Sequence, residues 1–506
     1  MLKRKMVITI IWMAVFIFSA MPALAEIIVD TAWVRRYNGP GNSTDEAADI
    51  AVDGSGNVYV AGMSVGSGSN YDYVIIGYYA NGDTSWLKRY NGPGNHHDVA
   101  SALAVDDSDN VYVTGWSYDT NTGYDYVSIK YYPDGDSAWL RRYNRPSYCH
   151  DYARAIAVDG TGNVYVTGES CYEYGTVKYS CNGDTTWVRT YSAGYSDKAF
   201  SVVLDRSGNV YVTGASGNHY ATVKYYPDGD TAWVRRYNGP GNSTDEAADI
   251  AVDGWGNVYV TGKSVGDGTR FDYATIKYYP NGDTAWVRRY NGSADWDDGA
   301  RAIALDDSGN AYVTGYSNEG ETQGDYTTIK YYPDGDAAWV RRYNGPGNGF
   351  DGAFAMAVDD LGNAYVTGYS TGNGTYLDYA TVKYDSDGNQ LWVERYNGPG
   401  NLDDWGRDVA VDGSGNVYVT GTSFGSGTDR DYATIKYVQF LRGDTNTDGV
   451  IDLEDVLYLI NYLYKNGPVP VPILQVGDVD CDGVVDLGDV LYLINYLYKG
   501  GPPPCS

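Results

Sequence analysis

A stretch of 25 residues occurs twice in this chain of 506 residues, at positions 30–54 and 230–254, and the two copies are identical. Repetition of this kind restricts the chain to architectures built from stacked copies of one structural unit. A catalytic site needs acid, base and orienting groups that differ from one another, so identical copies argue against an enzyme. We interpret them as a duplication; a ligand contacted identically by symmetric units is the alternative.

The unit recurs eight times, and each copy begins at a tryptophan within the pattern W-[VL]-x-[RT]-Y. These residues are Trp33, Trp86, Trp139, Trp187, Trp233, Trp286, Trp339 and Trp392. Each unit contains four short β-branched and aromatic stretches, labelled A, B, C and D and exemplified by Ile50, Val58, Tyr73 and Trp86. Tight turns such as 281–283 separate them, as in β-hairpins. Four-stranded units of this length predict a β-propeller.

The two ends of the repeat array predict that the propeller closes on itself. The array begins with a lone D strand, Trp33–Tyr37, and its last unit stops after the C strand, Asp431–Tyr437. Pairing these two strands completes an eighth blade and removes open sheet edges that would invite aggregation. The sequence therefore predicts an all-β, eight-bladed propeller over residues 26–438.

The repeats carry the patterns D-x-x-G-N-x-Y-V-T-G, as at 253–262, and K-Y-x-x-x-G-x-x-x-W, as at 277–286. They resemble the bacterial β-propeller repeat family that is often described as seven-bladed, over about residues 30–438. The resemblance implies a propeller and an extracellular setting, and it implies no activity. Eight copies leave a seven-bladed ring with one swapped unit as the alternative arrangement.

The first 25 residues have the pattern of a secretory signal peptide. Lys3, Arg4 and Lys5 precede an apolar run, and Ala23-Leu24-Ala25 forms a cleavage site. We expect cleavage after Ala25 and a secreted or cell-surface protein. No later stretch approaches the roughly 20 apolar residues of a membrane span. The formal net charge of −29 argues against nucleic acid, which requires basic patches.

The D–A and B–C loops share one face of the propeller, which we call the loop face, and the short A–B and C–D hairpins share the other. The loops vary between blades, and variable loops on a rigid scaffold commonly carry binding sites. Candidates for stacking carbohydrate or peptide are Tyr71, Tyr148, Trp116, Trp296, Phe350 and Trp405. Ordinary exposed aromatic residues in a tyrosine-rich protein are the alternative.

One aspartate recurs in every blade, at the start of strand A. The set is Asp45, Asp98, Asp151, Asp197, Asp245, Asp298, Asp351 and Asp404. These carboxylates could concentrate cations near the channel, or they could accept backbone N–H bonds that fix the D–A loops. Their invariance within variable surroundings favours the structural role.

The histidines and cysteines add little evidence for chemistry. His96, His97 and His150 lie in D–A loops of adjacent blades, where we expect ordinary polar loop residues in preference to a shared metal. We find no one-off cluster of channel carboxylates and no catalytic residue. Cys149 and Cys171 lie in loops that share a face, which predicts a disulfide between them. Cys181, on the opposite face, is then the odd thiol.

The composition changes at Gly443, where an acidic loop followed by an amphipathic stretch occurs twice, 34 residues apart. Calcium prefers six to eight oxygen ligands, supplied at loop positions 1, 3, 5, 7, 9 and 12. In the first loop these are Asp444, Asn446, Asp448, the Val450 carbonyl, Asp452 and Asp455. In the second they are Asp478, Asp480, Asp482, the Val484 carbonyl, Asp486 and Asp489. Glycines 449 and 483 occupy the sharp turn at position 6. The spacing predicts two calcium ions.

Each loop is followed by one predicted helix and preceded by none, and position 12 is aspartate in both. Residues 443–506 resemble a type I dockerin domain, with the match covering 443–499. Cys481 and Cys505 could form a disulfide that ties the C-terminal tail to the second loop. The resemblance implies docking onto a cohesin-like domain through loop positions 10 and 11, which here are Leu453, Glu454, Leu487 and Gly488. The resemblance also implies two docking orientations, which the near-identical helices would permit.

These features together predict an exported, non-enzymatic binding or scaffold protein, attached to a partner through its calcium-loaded dockerin. Two alternatives stay open. The first is an extracellular enzyme acting on polysaccharide, since dockerins often carry such cargo. The second is a dockerin that serves only as a structural cap for its own propeller.

Overall fold

The computed structural model describes residues 27–146, 149–320, 323–448, 450–465, 467–471 and 473–505. The predicted signal peptide lies outside the described residues. The chain divides into two compact units, of which one is Thr31–Tyr437 and the other contains Val438–Ser506.

The larger unit consists of eight four-stranded sheets. Blade 1 contains β2 (Asp45–Val52), β3 (Val58–Val65), β4 (Tyr71–Tyr78) and β5 (Thr84–Tyr90). Blade 2 contains β6 (Asp98–Val105), β7 (Val111–Asp119), β8 (Gly123–Tyr131) and β9 (Ser137–Tyr143). Blade 3 contains β10 (Asp151–Val158), β11 (Val164–Ser170), β12 (Glu173–Tyr179) and β13 (Thr185–Tyr191). Blade 4 contains β14 (Asp197–Leu204), β15 (Val210–Ser216), β16 (His219–Tyr225) and β17 (Thr231–Tyr237).

The remaining blades follow the same plan. Blade 5 contains β18 (Asp245–Val252), β19 (Val258–Val265), β20 (Phe271–Tyr278) and β21 (Thr284–Tyr290). Blade 6 contains β22 (Gly299–Leu305), β23 (Ala311–Ser317), β24 (Asp325–Tyr331) and β25 (Ala337–Tyr343). Blade 7 contains β26 (Asp351–Val358), β27 (Ala364–Thr371), β28 (Leu377–Tyr384) and β29 (Gln390–Tyr396). Blade 8 contains β30 (Asp404–Val411), β31 (Val417–Phe424), β32 (Arg430–Leu441) and β1 (Ile27–Tyr37). The prediction of an eight-bladed, all-β propeller is confirmed.

The first strands of successive blades contact one another in a closed cycle, from β2 through β6, β10, β14, β18, β22 and β26 to β30, and from β30 back to β2. These eight strands therefore surround the central channel. In blade 8, β1 lies beside β32, so the sheet joins the first strand to the last three.

Tryptophans of the fourth strands pack the blades against one another. Trp86 lies between Tyr59 of its own blade and Tyr131 of the next blade, with ring centroids 5.8 Å from each. Its indole N–H donates to the Pro133 carbonyl at 3.0 Å. Large aromatic rings bury much apolar area, and a satisfied N–H removes the cost of burying the indole. The repeated tryptophan is thus explained by packing.

The C-terminal unit contains two helices, α1 (Leu453–Lys465) and α2 (Leu487–Lys499), and a short 3₁₀ helix, Leu474–Val476. The core between the helices consists of Val456, Leu459, Val479, Val490 and Leu493. Asp486 caps α2 through a reciprocal capping box with Asp489, and Gly500 ends the helix at φ 68°. Such caps satisfy the free amides and carbonyls at helix ends.

Candidate functional site

The recurring aspartates fix the loops of the loop face. Asp298 is buried, and its carboxylate accepts hydrogen bonds from the amides of Gly292 at 2.6 Å and Asn318 at 2.9 Å. Gly292 precedes the first strand of the blade, and Asn318 follows the second strand. All eight members of the set accept an equivalent amide from the preceding loop: Asp45, Asp98, Asp151, Asp197, Asp245, Asp298, Asp351 and Asp404. Each carboxylate thereby anchors loop backbone, which supports the structural role.

The described aromatic candidates of the loop face differ in exposure and in their neighbours. Trp296 and Phe350 are more than half exposed. Trp116 is half-buried and packs edge-on against Tyr124 of its own blade and Tyr152 of the next blade, with centroids 4.9 and 5.4 Å away. The other candidates divide as follows: Tyr71 lies against His97, Trp405 lies between Arg407 and Arg430, and Tyr148 is outside the described residues.

The loop histidines pack on aromatic rings. His96 and His97 contact each other with centroids 4.4 Å apart, and burial together with His96 lowers the pKa of His97. His150 lies against Tyr124 at 5.1 Å, and its Nδ1 accepts the Tyr124 amide. Among the described residues no group of possible metal ligands includes a histidine.

Disulfides join Cys149 to Cys171 and Cys481 to Cys505, with Cα–Cα distances of 5.2 and 6.0 Å. Cys181 is a free, exposed thiol. Asp151 lies close to the first pair, but sulfurs bonded to each other are not thiolate ligands, so this group does not indicate a metal site.

A β-bulge interrupts the first strand of every blade three residues after the recurring aspartate. The residue without a partner in the register is Ala48, Ser101, Arg154, Phe200, Ala248, Arg301, Phe354 or Arg407. One extra residue shifts the alternation of side chains between the two sheet faces. The bulge residue and the residue after it therefore both lie along the channel.

Three of the bulge residues are arginines, and each guanidinium lies over an aromatic ring near the loop face. Arg154 lies 5.4 Å from the Phe200 ring centroid, Arg301 5.6 Å from Tyr316, and Arg407 5.0 Å from Phe354. We call these six residues the mouth cluster. A cavity of 310 Å³ is lined by Phe200, Arg301, Tyr316 and Phe354, together with the ion-paired Glu246 and Lys263.

The residue after the bulge is aspartate in three blades, Asp49, Asp249 and Asp408. Asp408 is hydrogen-bonded to Asp49 of the adjacent blade and accepts the Ile50 amide at 3.1 Å. Burial raises the pKa of Asp408 well above its usual range, and the charge of Asp49 raises it further. Burial also raises the pKa of Asp249, which accepts the Ile303 amide and the Ser201 hydroxyl.

The sequence-based expectation of no one-off carboxylate cluster in the channel is therefore wrong. The bulge was not visible in the sequence. In a regular strand, consecutive side chains point to opposite faces of the sheet, so each of these aspartates would lie on the opposite face from the residue before it. The signal that could have found them is the fourth position after each recurring aspartate, which is acidic only in blades 1, 5 and 8.

The second acidic loop of the C-terminal unit brings carboxylates together in a way that fits a cation. Oxygens of Asp478, Asp480 and Asp489 lie within 4.8 Å of one another. Oδ1 of Asp478 is buried and has no hydrogen-bond partner, whereas Asp489 is fully buried and accepts the Val479 and Asp486 amides. Converging carboxylates with an unsatisfied oxygen are the donor set that calcium prefers. Gly483 has a φ of 88°, which explains glycine at position 6.

The first loop repeats much of this arrangement. Asp455 is fully buried, like Asp489, and it accepts the Thr445 amide at 2.6 Å and the Asp452 amide at 2.9 Å. Asp448 accepts a bond from the Asn446 side chain at 3.0 Å. Gly449 lies outside the described residues. In both loops the position-12 carboxylate anchors the loop to the first turn of its helix. The residues present fit calcium. A bound ion would supply the positive charge that holds the remaining oxygens together.

Each helix of the C-terminal unit exposes an equivalent apolar stripe opposite its packed face. On α1 the stripe is Leu453, Leu457 and Tyr464, and on α2 it is Leu487, Leu491 and Tyr498. All six side chains are 48% or more exposed. The candidate docking residues Leu453 and Leu487 belong to these stripes, Glu454 is exposed beside the first, and Gly488 is half-buried. The unit thus presents two similar surfaces.

Over the described residues, no helix combines the length and apolar character that crossing a membrane requires. No curated protein sequence matches the chain. Among solved structures, Sqt1 from Chaetomium thermophilum is similar at 9% identity, covering 82% of this chain and 100% of that chain, with a TM-score of 0.47. Raptor from the same organism is similar at 9% identity over 81% of this chain and 29% of its own, with a TM-score of 0.41. A protein of unknown function from Bacteroides caccae has 14% identity, 53% and 90% coverage, and a TM-score of 0.33.

Family models match two parts of the sequence. The β-propeller repeat model matches residues 32–68, 139–170, 232–268, 286–320, 338–374 and 391–426. The model of the dockerin type I domain matches residues 442–498. A propeller joined to such a domain supports a role in protein–protein attachment. The chain therefore carries six recognised β-propeller repeats followed by a type I dockerin domain.

Proposed function

We propose that the protein is an exported, non-enzymatic binding protein, whose propeller presents its loop face and whose calcium-loaded dockerin attaches it to a cohesin-like domain of a partner. The observation that carries the proposal is the pair of equivalent apolar stripes on α1 and α2. Exposed leucines at matching positions are costly in water unless a partner covers them. The acidic loops hold both helices in place, so attachment should require calcium.

Two similar stripes also support two docking orientations. Either helix could present its leucines to the same groove, because the pairs Leu453 and Leu487, and Leu457 and Leu491, occupy equivalent positions in near-identical helices. Loss of one stripe should then weaken attachment only slightly, and loss of both should abolish it.

The test uses the mature chain as bait in the secreted and surface fractions of its source organism, with calcium or with a chelator. We compare wild type with Leu457→Glu, Leu491→Glu and the double variant. Val469→Glu places the same charge at another exposed apolar position of this unit and is the matched control. Calcium-dependent capture that only the double variant loses supports the proposal. Capture by a chain ending at Tyr437, with or without calcium, would move the attachment function to the propeller.

A second candidate is an extracellular enzyme acting on polysaccharide, and the Asp49–Asp408 pair favours it. Two neighbouring carboxylates that share a proton can act as acid and base. Both residues also bond backbone amides, which supports a structural role instead. Release of reducing ends from a polysaccharide panel, lost in Asp408→Asn, would establish the enzyme. A third candidate is a dockerin that serves only as a structural cap for its own propeller. In that case removal of residues 438–506 should lower the melting temperature of the propeller.

A further inference from the structure

The arginines of the mouth cluster differ from arginines of the fourth strands such as Arg89, which make ion pairs. Arg407 is half-buried, whereas Arg154 and Arg301 are exposed. Arg89, on the fourth strand of blade 1, pairs with Asp72 at 2.8 Å, and Arg289 and Arg395 make the same pair with Asp272 and Asp378. Within the described part of the chain, no carboxylate lies within ion-pair distance of Arg154, Arg301 or Arg407. A charged group taken from water without a partner destabilises a fold, so the missing anion at the half-buried Arg407 calls for an explanation.

Arg407 is the most enclosed of the three. Burial lowers the pKa of its guanidinium, Glu46 opposes this effect, and the nearby charges of Arg430 and Arg301 lower the pKa further. Glu46 is already paired with Arg430 at 2.9 Å. Arg407 therefore lies near two other arginines, Arg430 and Arg301, and near one glutamate, Glu46, which Arg430 already shares. The resulting positive potential favours an additional negative charge at this position.

The aromatic rings hold the guanidinium groups in place. Each arginine of the cluster lies over a ring face, and Arg407 lies between Phe354 and Trp405, 5.0 and 5.1 Å from their centroids. A planar guanidinium fixed in this way presents its parallel N–H donors to a carboxylate without further loss of side-chain entropy. The Trp405 indole N–H is buried and has no acceptor, so it is a further donor beside Arg407.

The cavity suits a single ring. Arg301 lines it, and Arg407 lies beside it, over the ring of Phe354, which is one of its walls. Its volume of 310 Å³ is at the lower end of the range for small-molecule sites. Phe200, Phe354 and alanines supply apolar walls for the C–H face of a sugar, and Glu246 and Lys263 supply hydrogen-bonding groups for hydroxyls. An extended acidic peptide has no ring with a flat C–H face to place against these walls, which favours the saccharide.

We infer that the mouth cluster binds an acidic saccharide, with the carboxylate of one sugar ring held by Arg301 and Arg407. The inference rests on the proposed function, in which the loop face of the propeller binds a ligand, and it names the chemical class of that ligand. Nonspecific attraction does not account for such binding, because the net charge of −29 repels anions at long range.

The test is isothermal titration calorimetry on the full, calcium-loaded chain with trigalacturonic acid, its methyl ester and the peptide triglutamate. We expect trigalacturonic acid to bind at least ten-fold more tightly than the other two. The comparison with the methyl ester uses only wild-type protein, so it holds whether or not a variant folds.

The double variant R301Q/R407Q should weaken trigalacturonate binding at least ten-fold. Arg270→Gln is the matched control, because Arg270 also lies over a loop-face ring, that of Trp296, but has Asp297 as an acidic neighbour. Equal binding by wild type and the double variant, or of acid and ester, would overturn the inference. Tighter binding of triglutamate would overturn it in favour of an acidic peptide. Partner capture through α1 and α2 is measured separately, so failure of this site is distinct from failure of the proposed attachment.

Discussion

Arg36 and Asp431 are separated by 395 residues, yet their side chains form an ion pair at 2.9 Å that joins β1 to β32. Arg36 also donates to the Tyr396 hydroxyl of blade 7. Arg89 makes the same contacts in blade 1, with Asp72 and the Tyr37 hydroxyl, but its strands are joined by a hairpin. The two arginines therefore form a matched pair, one at the closure of the ring and one inside a continuous blade.

We predict that Arg36→Gln and Arg89→Gln each lower the free energy of unfolding by about 1–3 kcal/mol, because each leaves a buried aspartate without its charged partner. Only Arg36→Gln should release the edge of blade 8. Hydrogen exchange of residues 31–37 and 430–437 measures this release, and we expect faster exchange there in Arg36→Gln alone. Similar exchange of the corresponding strands in both variants would show that the ion pair has no special role in closure.

Much of the propeller was predictable from the sequence, because the same short-range signals recur in each copy. The turn 281–283 has equivalents in the seven blades whose third and fourth strands are joined by a hairpin, and the strand Thr284–Tyr290 has one in every blade, so errors in one copy are corrected by the others. The position of Asp298 at the start of its strand was predictable for the same reason. Its invariance also indicated an anchoring role, which the amides of Gly292 and Asn318 explain.

The channel was less predictable, because its geometry depends on the bulge and on contacts between distant blades. Nothing in the local pattern around Arg301 or Asp49 distinguishes a bulged strand from a regular one. The contact of Asp408 with Asp49 also requires the closed ring, which brings residues of the first and last blades together. The calcium loops are the opposite case, since all their ligands lie within twelve consecutive residues of each loop.

The anchoring role of the recurring aspartates predicts the effect of Asp298→Asn. Asparagine can accept only one of the two amides that bond the carboxylate, and its NH₂ group faces the other donor. We expect the free energy of unfolding to fall by about 1–3 kcal/mol, with trigalacturonate binding unchanged. Urea denaturation and calorimetry measure the two quantities.

Asp297→Asn is the control for this variant. Asp297 is the adjacent residue, is about half exposed, and lies 3.9 Å from Arg270, so its loss should change stability by less than about 0.5 kcal/mol. If Asp298→Asn left stability unchanged but weakened ligand binding, the aspartate would belong to a binding site.

The acidic loops predict that calcium stabilises the helices of the dockerin. A thousand-fold excess of calcium over its dissociation constant adds about 4 kcal/mol for each site. Chelation should therefore speed hydrogen exchange of 453–465 and 487–499 and leave the propeller strands unchanged. Asp489→Asn should reproduce the effect in α2, because it removes a ligand charge from the cluster with Asp478 and Asp480.

Glu454→Gln is the matched control for the calcium variants, because Glu454 is exposed in the first turn of α1 and is not a predicted ligand. It should bind calcium as wild type does. Equal protection of both helices with and without the chelator would contradict a structural role for calcium.

The Asp49–Asp408 pair predicts a dependence of propeller stability on pH. The pKa of Asp408 is raised in the folded protein, so the fold binds this proton more tightly than the unfolded chain does. The resulting stabilisation is complete below the unfolded pKa near 3.9 and is lost as the pH rises through the higher folded pKa. The contribution of this pair to the free energy of unfolding of the wild type should therefore be larger at pH 4.5 than at pH 8.

Asp408→Asn tests this dependence, because its amide can donate to Asp49 at any pH and so replaces the shared proton. We expect the variant to match wild type at pH 4.5 and to exceed its free energy of unfolding at pH 8 by about 1–2 kcal/mol, in urea denaturation at both values. Asp249→Asn is the control, since Asp249 bonds the Ser201 hydroxyl and has no directly bonded carboxylate. Its gain at pH 8 should be smaller. If Asp408→Asn were instead destabilised equally at both values, the pair would not share a proton, and the channel aspartates would act only as acceptors for the amides of Ile50 and Leu103.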